Sequence, residues 1–84
     1  MLEVIVYSTL VCPYCINAKH LLEAKGIQFT EILVDNDREK FAEMLNKSHG
    51  RRTVPQIFIG DRHIGGFDDL RALSESGELD KILS

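Results

Sequence analysis

The first 34 residues alternate between strand, helix and strand patterns, and this order restricts the fold. Residues 2–7, LEVIVY, are mostly apolar and β-branched, as in a buried parallel strand. Residues 13–25 follow as a helix, with Pro13 suited to its first position and Gly26 to the residue beyond its end. Residues 28–34, QFTEILV, have a second strand pattern. A strand, a helix and a strand in this order predict a right-handed parallel unit.

The rest of the chain predicts a helix, a hairpin and two terminal helices. Residues 35–48 carry acidic residues early and Lys47 late, which matches the helix dipole. PQIFIG and RHIGG follow as two short strands with no helix between them, which indicates an antiparallel hairpin. Residues 68–77 and 78–84 have helical patterns. We therefore predict an α/β fold of order β-α-β-α-β-β-α, a four-stranded mixed β-sheet with helices on both faces, whose strand order the pattern leaves open.

The length and charge of the chain limit the classes of function. A chain of 84 residues provides one compact domain, which we place at residues 1–84. A formal charge of −3 predicts no nucleic-acid partner. No apolar run approaches the roughly 20 residues that span a bilayer, so we expect no membrane association. The first residues include Glu3 and lack the basic region of a signal peptide, so we expect a cytoplasmic protein.

The two cysteines of the chain, Cys12 and Cys15, stand three residues apart at the start of the first helix. Helical residues at this spacing have Cα atoms about 5 Å apart, within the roughly 4.4–6.8 Å of disulfides. A disulfide here would enclose very little chain and would stabilise the fold little, so it suits a reversible redox switch better than a structural disulfide. Cys12 precedes Pro13, where unpaired N–H groups favour a thiolate of lowered pKa. Cys15 shares a face with Ala18 and Leu22, so we expect Cys12 to attack and Cys15 to resolve.

Other interpretations of this pair stay open from the residues alone. Cysteine often acts as a small buried hydrophobe. A structural zinc site usually needs four ligands, and the chain adds only His20, His49 and His63, which we expect to be surface or loop residues. A cluster shared between two chains needs only one or two thiolates from each. We predict no metal site within one chain.

Three segments together resemble the glutaredoxin family: CPYC after the first strand, TVPQIFI after the second helix, and HIGGFDDL at the third. The resemblance covers residues 2–83 and is greatest to the small bacterial dithiol glutaredoxins. It implies a thioredoxin-like fold with Pro55 in a cis peptide bond, which would place Val54 beside Cys12. It also implies a glutathione-dependent thiol–disulfide oxidoreductase that has no bound cofactor and uses glutathione as reducing co-substrate.

The resemblance further implies a glutathione groove beside Cys12. Val54 would offer its main-chain N–H and C=O to the cysteine of glutathione, like a short added strand. The N-terminus of the third helix would bind the γ-glutamyl carboxylate, and Asp68 would accept from the γ-glutamyl ammonium. Gly65 and Gly66 would let the backbone approach closely. The implied groove residues are Tyr14, Arg51, Thr53, Val54, Pro55, Gly66, Phe67, Asp68 and Asp69.

One position departs from the family pattern. Many glutaredoxins carry a lysine three residues before the first cysteine, beside the glycine-end carboxylate of glutathione, and this chain has Thr9 there. Arg51 matches a position that is often basic in the family, whereas Arg52 matches less clearly. Either arginine would supply the missing positive charge.

The mechanism that the resemblance implies has two routes. Cys12 alone removes glutathione from a mixed disulfide, whereas Cys12 and Cys15 together reduce a protein disulfide. The implied partners of this monomer are glutathione and disulfide-containing or glutathionylated proteins, with ribonucleotide reductase as one candidate. Two alternatives remain. One is a module that holds a glutathione-ligated iron–sulfur cluster, which Pro13 disfavours, and the other is a redoxin that thioredoxin reductase reduces.

Overall fold

The computed structural model describes residues 2–84, so Met1, the first residue of the predicted domain, lies outside the described residues. Four strands and four helices follow in the predicted order. They are β1 (Val4–Ser8), α1 (Pro13–Ala24), β2 (Thr30–Leu33), α2 (Arg38–Lys47), β3 (Gln56–Ile59), β4 (Arg62–Gly65), α3 (Phe67–Ser76) and α4 (Glu78–Leu83). Within residues 2–84 no helix has the length and apolar character needed to cross a membrane.

The strands form one mixed sheet in the order β2-β1-β3-β4. β1 pairs in parallel with β2 and antiparallel with β3, and β3 and β4 form the antiparallel hairpin. The predicted parallel unit and hairpin are thus confirmed. The register pairs Tyr7 with Gln56, so the end of β1 lies beside the start of β3. This pairing brings the segment that leads to Cys12 next to the segment that contains Pro55.

Apolar side chains cover both faces of the sheet, because successive strand residues point to opposite sides. Val6 packs with α1 and α3, whereas Tyr7 packs with α2. The first cluster contains Val4, Val6, Ala18, Leu22, Ile57, Ile59, Leu70 and Leu79. The second contains Tyr7, Val34, Met44 and Phe58. The prediction of helices on both faces is confirmed.

Several element ends differ from the predicted ones by a few residues. The second helix, predicted from residue 35, begins at Arg38, because the Asp37 carboxylate accepts the Lys40 N–H at 3.0 Å and caps it. The second strand spans Thr30–Leu33 rather than 28–34, since it lies at the sheet edge and pairs with β1 alone. The third helix begins at Phe67, one residue before its predicted start.

Candidate active site

Cys12 lies at the N-cap of α1, immediately before Pro13. Its backbone is extended, and its Sγ accepts the Cys15 N–H at 3.2 Å. The Cys12 S–H also lies 3.8 Å, sulfur to oxygen, from the Val54 carbonyl. The sulfur therefore satisfies one of the N–H groups that a helix start leaves unpaired, and it lies at the positive end of the helix dipole.

Cys15 lies one turn further along α1 and is more deeply buried, with 1% of its surface exposed against 8% for Cys12. This is the predicted order of burial. Burial, together with the neighbouring Cys12, raises the pKa of the Cys15 thiol to about 12, although the Thr9 backbone and the Lys19 ammonium oppose the shift. Cys15 is therefore a neutral thiol near pH 7. The two thiols are not joined in this structure.

A cleft of about 160 Å³ opens beside Cys12, next to the Val54 carbonyl. The structure brings all nine predicted groove residues together along it. They are Tyr14, Arg51, Thr53, Val54, Pro55, Gly66, Phe67, Asp68 and Asp69. The Val54–Pro55 peptide bond is cis, as the resemblance implied. The cleft joins the start of α1, the segment before β3 and the N-terminus of α3.

The two aspartates at the start of α3 have different contacts. The Asp69 carboxylate accepts the Gly66 N–H at 3.0 Å and so caps the helix. The Asp68 side chain is 81% exposed, and its nearest cation is Arg71 at 3.8 Å. Asp68 is thus the carboxylate that can meet a ligand ammonium, while Asp69 holds the helix end.

The two glycines before α3 differ in conformation, and the close approach of glutathione to both stays a prediction. Gly65 has a φ of +117° and lies against the Asp69 side chain. Gly66 has a φ of −93°, and a Cβ there would lie 3.6 Å from the Pro55 carbonyl, an ordinary contact. Of these two positions, only residue 65 needs a glycine for the conformation of the chain itself.

Comparisons with known proteins identify the family of this chain. A family model described as Glutaredoxin matches residues 4–64. The chain belongs to the glutaredoxin family. A glutaredoxin of Pseudomonas aeruginosa is 52% identical over 100% of this chain and 99% of its own length. Glutaredoxin 3 of Escherichia coli K12 is 51% identical, with 99% of each chain covered. The crystal structure of a buckwheat glutaredoxin–glutathione complex aligns with a TM-score of 0.86 at 33% identity, over 98% of this chain and 76% of that one.

Glutaredoxins are glutathione-dependent thiol–disulfide oxidoreductases, and this chain is an enzyme of that class with a thioredoxin-like fold. The family, the fold class and the type of activity predicted from the sequence are confirmed. Among residues 2–84, no three His, Cys, Asp or Glu side chains gather closely enough to hold a metal ion.

The adjacent residues Arg51 and Arg52 of this glutaredoxin have different surroundings. Arg51 lines the cleft, and its backbone is held by Ser48, whose hydroxyl accepts the Arg51 N–H at 3.1 Å and donates to the Arg51 carbonyl at 3.2 Å. The Arg52 guanidinium lies 5.4 Å from the ring centre of Phe41 on α2. Arg51 is therefore the cation placed to meet a ligand carboxylate in the cleft.

Sequence reasoning missed Gln56 and His63 as supports of the cleft. Gln56 is fully buried, and its Nε2 donates to the carbonyl and the hydroxyl of Thr53 at 3.0 and 3.2 Å. Its Oε1 lies 2.6 Å from His63 Nε2, and the His63 ring stacks on Phe58. Burial lowers the pKa of His63. The available signal was a polar residue at the start of the apolar strand QIFI.

The three histidines do not share one environment. His20 and His49 are exposed, as predicted, whereas His63 is half-buried in β4. The expectation that all three are surface or loop residues is therefore wrong for His63. Its ring is used to pack on the sheet and to hold Gln56.

A second missed feature is a polar chain that lies behind Cys15. Lys19 follows Cys15 by one helical turn, and its Nζ lies 2.7 Å from Glu31 Oε2. The Ser8 hydroxyl donates to the same oxygen at 2.6 Å. The Glu31 contact raises the pKa of Lys19, and the Lys19 and Ser8 contacts lower the pKa of Glu31. The network thus keeps an ammonium group on the helix face that carries the resolving thiol.

Proposed function

We propose that this glutaredoxin reduces glutathione mixed disulfides through Cys12 alone and protein disulfides through Cys12 and Cys15. The observation that carries the proposal is the asymmetry of the pair. Cys12 lies against Val54 of the cleft wall and accepts a helix N–H, whereas Cys15 is more deeply buried and is a neutral thiol. One sulfur is placed to meet an incoming disulfide, and the other is placed to attack the Cys12 sulfur once a mixed disulfide has formed there.

The monothiol route begins when the Cys12 thiolate attacks the glutathione sulfur of a mixed disulfide. A Cys12–glutathione bond forms, the substrate disulfide breaks, and the substrate leaves as a thiolate that takes a proton. The thiolate of a second glutathione then attacks the glutathione sulfur on Cys12 and regenerates the Cys12 thiolate. Glutathione disulfide is released. The Cys15 N–H, 3.2 Å from the sulfur, favours Cys12 as the leaving group in this second step because it hydrogen-bonds the charged form.

The cleft has a suitable partner for each charged end of glutathione. We place its cysteine against the Val54 main chain, where an extended peptide can pair as in strand addition. Its γ-glutamyl carboxylate lies at the N–H groups of α3, and its ammonium meets the exposed Asp68. Its glycine carboxylate meets Arg51, the cation in the cleft wall.

The dithiol route uses Cys15 in its second step. The Cys12 thiolate attacks a protein disulfide, and the first protein thiolate leaves. Cys15 then loses its proton to solvent and attacks Cys12, which expels the second protein thiolate and leaves a Cys12–Cys15 disulfide. Two glutathiones return this disulfide to thiols and become glutathione disulfide. Reduction potentials of glutaredoxins, roughly −200 to −230 mV, lie close to the potential of the cytosolic glutathione pool determined by biochemical extraction. This last step is therefore feasible.

The protein substrates of this enzyme are proposed from its chemistry. Disulfide-containing or glutathionylated proteins are the class that this chemistry serves, and ribonucleotide reductase is one candidate within it. We infer a monomer in the cytoplasm, where glutathione returns the pair to thiols. Glutathione acts as co-substrate, and the proposed steps need no bound cofactor.

The first test compares the wild type with Cys15→Ser on a glutathionylated peptide, coupled to glutathione reductase and NADPH. We expect the variant to keep its turnover within about threefold of the wild type, because Cys15 takes no part in the monothiol route. The same variant should fail to reduce a protein disulfide catalytically. A folded wild type without activity on the peptide would contradict the proposed function, and thioredoxin reductase would then be tested as the electron donor.

The second test uses the pH dependence of the resolving step. Burial, the largest cause, holds the pKa of Cys15 well above neutral, so its thiolate fraction rises with pH from pH 7 to about pH 9. Release of a peptide thiol from a preformed Cys12 mixed disulfide should accelerate accordingly, since the burial that raises the pKa remains in that intermediate. Stopped-flow release measured at several pH values checks this. A rate that does not change with pH would contradict it.

The variant Lys19→Met probes the same step. Loss of the ammonium raises the pKa of Cys15 and leaves the Glu31 charge unopposed, so the release should slow about threefold to fivefold at pH 7.5. Lys25→Met is the matched control, because Lys25 pairs with Asp80 instead. Monothiol turnover should be unchanged in both variants. Equal release rates in the two variants would show that Lys19 has no part in the step.

A further inference from the structure

Exposed apolar side chains concentrate around the nucleophile. In the part of the chain from residue 2 to 84, six large apolar side chains are exposed, and four of them lie within four residues of Cys12. These four are Leu10, Val11, Tyr14 and Ile16. Leu10 is 69% exposed and Val11 is 91% exposed. Tyr14 belongs to the cleft already described, whereas neither Leu10 nor Val11 lines it. We call these two residues the 10–11 rim.

The backbone of the 10–11 rim is tied to the β2 side of the sheet, whereas the cleft lies on the β3 side. The sheet order places β2 on one side of β1 and β3 on the other. The cleft is built from the segment before β3 and from the start of α3. The Leu10 N–H instead donates to Asp35 Oδ2 at 3.1 Å, and Asp35 follows shortly after β2. The backbone of the rim is thus held at the β2 side, with its apolar side chains in solvent.

The chemistry of the enzyme determines what must cover this rim. A disulfide holds the Cα atoms of its two cysteines roughly 4.4–6.8 Å apart. Residues beside a target cysteine therefore come to lie against residues beside Cys12. In glutathione the neighbours of the cysteine are a γ-linked glutamate and a glycine, and neither has an apolar side chain. A protein can have apolar side chains directly beside its target cysteine, and these can lie against the β2 side.

We propose that the 10–11 rim is a docking surface for an apolar side chain next to the target cysteine of a protein disulfide. This rests on the proposed function and names a substrate class for its dithiol route. Leu10 and Val11 would lose contact with water as the mixed disulfide forms, and an apolar neighbour of the target cysteine would lose it with them. Removal of roughly 40–55 Å² of apolar surface from water at this contact corresponds to roughly a fivefold to tenfold gain in kcat/KM.

The test uses two cyclic disulfide peptides that differ only in having Leu or Ser on both sides of each cysteine. We expect the wild type to reduce the Leu peptide about fivefold to tenfold faster in kcat/KM. The double variant Leu10→Ser, Val11→Ser should reduce both peptides at the rate of the Ser peptide. The contact with Asp35 survives in this variant because it uses the Leu10 backbone. Leu2→Ser, an exposed leucine before β1, should keep the wild-type preference.

A small mixed disulfide of glutathione and cysteamine separates this inference from the proposed function. The double variant should reduce it at the wild-type rate, because the cleft is intact. If the wild type reduces it but shows no preference for the Leu peptide, or if the double variant keeps the preference, the docking surface is overturned. If the wild type does not reduce it, the proposed function itself fails. A wild-type dimer that the double variant dissociates, seen by sedimentation, would assign the rim to self-association and overturn the proposal.

Discussion

Replacement of Cys12 by serine is expected to abolish turnover on glutathione mixed disulfides and on protein disulfides alike. Both routes begin with attack by the Cys12 thiolate, and a serine hydroxyl does not ionise near neutral pH. We expect a loss of about three orders of magnitude or more in kcat/KM. Coupled assays with glutathione reductase, run on a glutathionylated peptide and on a protein disulfide, measure both activities.

The fold should survive this change, so the loss can be assigned to chemistry. Cys12 is the N-cap of α1, and serine is among the preferred residues at that position. Its hydroxyl can accept the Cys15 N–H as the sulfur does. Thermal unfolding followed by circular dichroism should show a Tm close to that of the wild type. Turnover retained in a folded Cys12→Ser variant would refute the assignment of the nucleophile.

The variant Gly65→Ala is expected to show a large loss of stability. Its φ of +117° is a conformation that a residue with a Cβ rarely adopts, and the Cβ would lie 2.9 Å from the Asp69 Cγ and closer still to Oδ2. Relief of that overlap moves the carboxylate that caps α3. Backbone strain of about 1–3 kcal/mol and a lost cap of about 1 kcal/mol together lower the free energy of unfolding by about 2–4 kcal/mol. Urea unfolding, with the slope compared to the wild type, measures this quantity.

The control for this variant is Gly26→Ala. Gly26 also has a positive φ, of +71°, but a Cβ there meets no atom within 4 Å. We expect a loss of about 1 kcal/mol, from backbone strain alone. If both variants lose the same free energy of unfolding, the contact with Asp69 does not contribute to the effect of Gly65→Ala. Gly65→Ala should also raise the KM for glutathione, because the N-terminus of α3 forms part of the cleft.

The sequence by itself determined the local features of this protein. Strand and helix periodicities are set by neighbours two to four residues apart, so the order of elements and the mixed pairing of strands were predictable. The position of Cys12 at an N-cap was also predictable, because Pro13 marks the start of the helix. Eight of the nine cleft residues lie in the three segments that carry the family resemblance, and Arg51 lies just before the second. The periodicity within each segment does not predict that the segments meet in the folded chain.

Tertiary structure alone decided the contacts between distant segments. The family resemblance implied that Val54 lies beside Cys12, but no local pattern does, because the Val54 carbonyl comes from 42 residues away and reaches Cys12 through the pairing of β3 with β1. The Lys19–Glu31 pair and the Gln56–His63 contact likewise depend on which elements are neighbours. Arg51 and Arg52 are adjacent in sequence, yet one lines the cleft and the other packs on Phe41. Their separation follows from side-chain packing against α2, which no spacing of residue types encodes.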